Sequence, residues 1–226
     1  MEFCANPYEG GTTPSYGAIL AARERLQIAL HLIIRPRGGD FLYSSAEFAA
    51  MRSDIEFCKR AGVDDVVLGL LLPDASVDVE RTRELVALAQ PMNVTFHRAF
   101  DVTADPMRAL EDVIDCGCIR LLTSGRRATA PEGAPLIREL VELARERIVV
   151  MPGSGVHQEN LAALIAATGA VEFHASARMQ AASGMQYRNP EVSFAPTGSG
   201  VDPLSHIEAD PEHVRRLVAI ARSCSR

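Results

Sequence analysis

His97, Arg98 and Asp101 form the stretch of this chain best suited to chemistry. Histidine exchanges protons near neutral pH, an adjacent arginine can hold an anion, and an aspartate can orient either. Glu172 joins His97 and Asp101 as a candidate proton-transfer group, and Asp40 is a candidate neighbour. The plainer alternative is a histidine that simply satisfies a core position. A second group, Gly153-Ser154-Gly155, follows an apolar run and opens a helical pattern. Glycine lets a backbone approach an anion closely, and a helix start offers free N–H donors. Gly153, Ser154 and Gly155, with His174 and Ser176, are therefore candidate contacts for phosphate or carboxylate, and Arg35, Arg37, Arg98 and Ser124 complete the anion-binding set. Against this stands a tight turn that needs glycine for its geometry.

A metal reading competes. Cys4, His97 and His174 lie near strand ends, and thiolate with imidazole suits Cu(I) or zinc. No closely spaced Cys/His motif anchors it, so Cys4 is the one candidate metal ligand. Cys116-Gly-Cys118 sits between a helix end and a strand start, on the opposite face, and reads as small buried residues in a turn. Cys58 and Cys224 read as packing and tail residues.

The elements that must position these groups are legible in the hydrophobic pattern. Short apolar, β-branched runs occur at 1–4, 28–34, 65–70, 94–97, 119–123, 148–151 and 171–175. Between them lie segments with apolar residues at i, i+3 and i+4, such as Phe48, Met51, Ile55 and Cys58. Strand and helix in alternation imply parallel strands joined by crossovers. Asp105-Pro106 and Ser44-Ser45 mark helix starts, and Gly62, Gly117 and Gly169 mark helix ends. Period-two alternation puts Glu2, Cys4, Ile33, Arg35, Thr95, His97, Glu172 and His174 on one side of the sheet. Their neighbours Phe3, Ile34, Phe96 and Phe173 are apolar and must pack under helices. The polar set is thus expected to point inward, with Glu2, Glu172 and Arg35 in one charged layer.

The expected architecture is an α/β, TIM-like barrel with seven of the usual eight strands visible, the chain starting inside a strand. One βα unit is read as missing at the front. A single domain spans 1–226, with a long irregular segment at 179–210 and a last helix from Asp210 or Pro211 to about Ser223. In such folds function gathers at the C-terminal ends of the strands.

Composition bounds the rest. With 47% hydrophobic and 23% charged residues, 226 residues suffice for a sizeable core. A net charge of −6 without basic runs argues against nucleic acid and anionic membrane as partners. No apolar run reaches transmembrane length and no signal peptide is visible. Five cysteines without framework spacing fit reduced thiols in the cytoplasm.

Taken together the motifs become specific. Cys4-Ala-Asn with Glu9-Gly-Gly-Thr-Thr-Pro-Ser15, then Ile34-Arg-Pro-Arg-Gly-Gly-Asp-Phe-Leu-Tyr-Ser44, resembles the CutC copper homeostasis protein family. So do Thr95-Phe-His-Arg-Ala-Phe-Asp101 with Asp105-Pro106, Leu122-Thr-Ser-Gly125, Met151-Pro-Gly-Ser-Gly155 and Glu172-Phe-His-Ala-Ser-Ala177. The match is collinear to about Asn189. The resemblance implies a TIM-like barrel, a cytosolic homo-oligomer, and a link to copper tolerance or Cu(I) binding. It names no secure enzymatic reaction. The family's proposed copper pair joins a cysteine on a preceding strand to the one matching Cys4, and that first partner is absent from this sequence. The competing reading is an enzyme of unknown reaction acting on a small anionic substrate, phosphorylated metabolites included, at the mouth of the barrel.

Overall fold

The computed structural model describes residues 1–189, 191–192, 202 and 204–224. Its centre is a six-stranded, wholly parallel sheet in simple order: β1 Glu2–Phe3, β2 His31–Ile33, β3 Asp65–Leu68, β4 Asn93–Phe96, β5 Arg120–Thr123 and β6 Val149–Pro152. Register pairs Phe3 with Leu32, Val67 with Thr95 and Thr123 with Pro152. Helices α1 Tyr16–Arg25, α2 Ser45–Ala61, α3 Val79–Ala89, α4 Pro106–Asp115, α5 Ala134–Ala144 and α6 Leu161–Thr168 follow successive strands.

The helix ends form where their chemistry places them. Ser44 caps α2 through a capping box with Glu47, satisfying amides that the helix itself leaves unpaired. Asp105 accepts from the amides of Met107 and Arg108 ahead of α4, whose first residue is Pro106. Gly62 ends α2 in the left-handed region, which costs a residue without Cβ little.

Leu32, Ile34, Val66, Leu68, Val94, Phe96 and Leu121 are fully or almost fully buried beneath the helices, against Met51, Ile55, Leu85, Leu110, Ile137 and Leu140. At 25 cal/mol per Å², each such side chain contributes about 2 kcal/mol of hydrophobic stabilisation. The inward parity carries the polar residues, among them Asp65, Thr95, His97 and Arg35, all buried.

Two expectations about the last third of the chain need correction. The run 171–175 is not a full strand: it joins the sheet through one parallel bridge, Gly153 to His174. Val171 is 82% exposed, so this run lacks the two-sided burial of an interior strand. The segment 179–210 is not irregular throughout. β7 Arg178–Ala181 and β8 His206–Ala209 pair antiparallel, with Ala181 opposite His206. The final helix, α7, spans Pro211–Cys224, and Leu217 packs into the core.

Candidate functional site

The strands end on one side at a cavity of about 750 Å³. β1 and its loop bring Glu2, Cys4 and Glu9, and the β2 loop brings Arg35 and Phe41. The β4 loop brings His97, Arg98 and Asp101, and the β6 loop Ser154 and Gly155. His174, Ser176 and Arg178 close the far wall.

His97 is nearly sealed from solvent, with 5% of its surface exposed. Its Nδ1 accepts from the Ala99 amide at 3.2 Å, so Nε2 carries the proton of the neutral ring. That Nε2 is buried and has no hydrogen-bond partner. Burial and the nearby Arg35 charge push its pKa down to about 4, against a smaller upward pull from Glu2. Burial thus favours the neutral ring, with Nε2–H as a donor. Gly69 makes room for it: a Cβ there would stand 2.5 Å from His97 Nδ1. A lone glycine inside the apolar Val66–Leu71 run is the sequence signal for that close approach. Phe41, also unremarked in sequence, has its ring 5.0 Å from that of His97.

Glu2 and His174 meet across the cavity, Oε2 to Nε2 at 3.5 Å. They join β1 to the run that bridges β6, so the two edges of the sheet approach each other. Burial pulls both toward neutrality, but the pair outweighs it: Glu2 is held below the usual carboxylate range and His174 above its usual value.

Several sequence candidates stand at the mouth but are committed to its walls. Asp101 accepts from Arg98 Nε at 2.7 Å, Thr123 Oγ1 at 2.5 Å, the Ser124 hydroxyl at 2.9 Å and the amides of Ser124 and Arg126. It ties the β4 loop to the β5 loop and has no lone pair left for proton transfer. Ser124 is fully buried, held by Asp101, Arg98 and the Arg127 carbonyl, so it is no anion contact. Among the described residues Arg98 Nη1 has no hydrogen bond, and Arg98 lines the cavity. Arg37 is spent on Glu47 at 2.5 Å, on Asp40 and on loop carbonyls, and does not line the cavity. Asp40 is exposed beside it and does not line the cavity.

Glu172 is displaced furthest from its expected place. It bonds Arg120 Nε at 2.5 Å, and Arg120 Nη1 reaches Asp65 at 3.1 Å. Arg120 and Asp65 begin β5 and β3, so Glu172 lies at the N-terminal end of the strands. Inward parity is right but the level is wrong: two residues along a strand, about 7 Å, separate Glu172 from His174.

The β6 loop also differs. α6 begins at Leu161, so Gly153-Ser154-Gly155 opens no helix. Ser154 and Gly155 sit at φ 77° and 67°, and a Cβ on Gly153 would meet Leu122 at 2.5 Å. The glycines serve turn and packing geometry here. The Ser154 hydroxyl donates to the Ala128 carbonyl.

Cys4 borders the cavity, its pKa raised by burial and by Glu2. Cys58, Cys116 and Cys118 are buried thiols with raised pKa, in the core and at the strand starts, and Cys224 is exposed on α7. Among the described residues no three His, Cys, Asp or Glu side chains gather to hold a metal ion. Soft Cu(I) favours thiolates, and this donor set offers one protonated thiol. It does not fit a resident copper centre. Among the described residues no helix is long and apolar enough to cross a membrane.

A parallel α/β sheet whose loops close over a polar cavity defines a class of proteins that work at the carboxyl ends of their strands. Within that class the chain belongs to the CutC family, whose model matches residues 1–179. It is 59% identical to a family protein CutC of Chromobacterium violaceum over 96% of this chain and 87% of that one. It is 45% identical to the human copper homeostasis protein cutC homolog over 99% and 81%. A crystal structure of a CutC protein from Streptococcus agalactiae superposes with a TM-score of 0.74 at 36% identity, covering 76% of this chain and 86% of that one. An aldolase superposes at 0.56 with 19% identity, over 70% and 73%, a likeness of fold alone.

Proposed function

We propose that this chain serves copper homeostasis, as its human relative's name states, with the mouth cavity as its working site. The observation that carries the reading is His97 Nε2, a buried donor without a partner on the wall of a cavity of about 750 Å³. Buried polar groups are almost always hydrogen-bonded, so an orphan at a cavity invites a ligand. The sheet, curled until Glu2 meets His174, is read as the wall of a TIM-like barrel. Reduced thiols favour the cytoplasm. Exposed Met1, Ile28 and Val171, beside the first and last strands, favour a homo-oligomer.

Cys4 borders the cavity, and its protonated thiol is a weak Cu(I) ligand. A second reading, binding or turnover of a small anion in the same cavity, is favoured by Arg98 Nη1 and by the neutral donor His97. Thermal shift separates the two, because a ligand selective for the folded state raises its melting temperature. We expect small anions to stabilise wild type and Cys4→Ser alike, with Cu(I) under anaerobic chelator competition stabilising neither strongly. Tight stoichiometric Cu(I) binding, lost in Cys4→Ser and unaccompanied by any anion effect, would turn the assignment to direct copper carriage.

A further inference from the structure

Arg35 is a buried cation, 5% exposed. Its Nη1 donates to the carbonyls of Glu9 and Gly11 at 2.6 and 3.0 Å, and Nη2 to that of Gly39 at 2.8 Å. None of these acceptors carries a formal charge, and among the described residues Arg35 makes no ion pair. Buried charges persist when something compensates them. The buried Tyr43 phenol lies within hydrogen-bonding reach of the guanidinium, a further neutral partner. The Phe41 ring lies 5.0 Å from the Arg35 guanidinium carbon and 5.0 Å from the His97 ring. The uncompensated charge of Arg35 and one unpartnered N–H donor, His97 Nε2, therefore flank one aromatic ring on one wall of the cavity.

The charges on the other walls limit what fits. Arg35, Arg98 and Arg178 face Glu2, Glu9 and Asp101. Asp101 is paired with Arg98, and Glu2 with His174. His157, also on the wall, pairs with Glu159, so with His174 protonated the remaining groups carry one positive charge in excess, which a monoanion balances and a phosphate dianion overshoots. Ile33, Phe41 and Leu122 add apolar surface beside the donors.

We infer that this wall holds the carboxylate of a small organic acid, opposing Arg35 and accepting from His97 Nε2, its carbon chain on Ile33, Phe41 and Leu122. The inference rests on the mouth cavity being the working site and names the ligand class that it takes. A carboxylate carries one charge, and one of its oxygens can accept from the imidazole N–H while the other stands toward the guanidinium.

Isothermal titration of the full chain with acetate, lactate, pyruvate, orthophosphate and sulfate, at fixed ionic strength, tests it. At least one carboxylate binds wild type one to one, and more tightly than either inorganic anion. His97→Asn weakens that carboxylate at least about tenfold, the loss expected for one buried charge-assisted hydrogen bond. Leu122→Phe, which crowds the same wall, weakens it as well and serves if His97→Asn does not fold. Orthophosphate or sulfate binding tighter than every carboxylate overturns the ligand class and leaves the mouth cavity standing as the site. Carboxylate binding indifferent to both substitutions overturns the placement. No carboxylate binding to wild type overturns the inference outright, while a copper response through Cys4 would still keep the wider reading.

Discussion

At the scale of single residues, position alone does not make a group reactive; what it is already bonded to decides. Asp101 and Arg37 are as polar as His97 and stand in neighbouring loops, yet their donors and acceptors are filled by the protein. Among the described residues His97 keeps Nε2 unfilled, and Arg35 keeps its charge without an ion pair. Sequence shows that a group is polar, but bond partners come from distant loops, so these fates were not legible there. His97 has a consequence for stability. Its pKa falls from 6.5 unfolded to about 4 folded, so between those values the unfolded chain binds the extra proton. Stability therefore drops as pH falls through this window, by up to about 3 kcal/mol at 1.36 kcal/mol per pKa unit. Glu2, with its lowered pKa, adds to that loss once pH falls through its folded value. His174 has the opposite sign: its contribution is full below its unfolded pKa and is lost as pH rises through the raised folded value. Urea unfolding at pH 6.5 and pH 4.5 is expected to show a smaller difference for His97→Asn than for wild type. Equal differences would mean that His97 is not held neutral by the fold.

At the scale of elements, the strand–helix alternation was readable because burial on both faces imposes apolar runs, and the order of the six strands follows it. Inward parity was readable too, since period two separates His97 and Thr95 from Phe96. Level along the strand was not, and this is why Glu172 was expected with His97 but pairs with Arg120 instead. The run 171–175 has strand-like composition but one ladder bridge, because pairing depends on a neighbour that composition does not reveal. Hydrogen exchange should register the difference. The amides of β3 to β5 exchange slowly, while residues 171–177 exchange fast except His174, whose amide donates to the Pro152 carbonyl at 2.9 Å. Uniform slow exchange through 171–177 would mean that the run is a full strand in solution.

Across the whole molecule, a curled parallel sheet gathers loop residues from positions 2 to 178 around one cavity. The motif resemblance and the family membership agree because those loops carry the motifs, Arg35 to Asp40, His97 to Asp101 and Gly153 to Gly155. Copper chemistry follows less directly, since one protonated thiol borders the cavity and no three-ligand group forms among the described residues. The cavity's claim to be the working site therefore hangs on its unfilled donors. Ring-¹⁵N NMR of His97, recorded from pH 5 to pH 8 with and without the best-binding carboxylate, addresses it most directly. The account predicts a neutral Nε2–H ring throughout and a shift of that signal, saturating with the calorimetric affinity, when the acid is added. A ring that titrates near pH 6.5, or a signal unmoved by ligand, would contradict it.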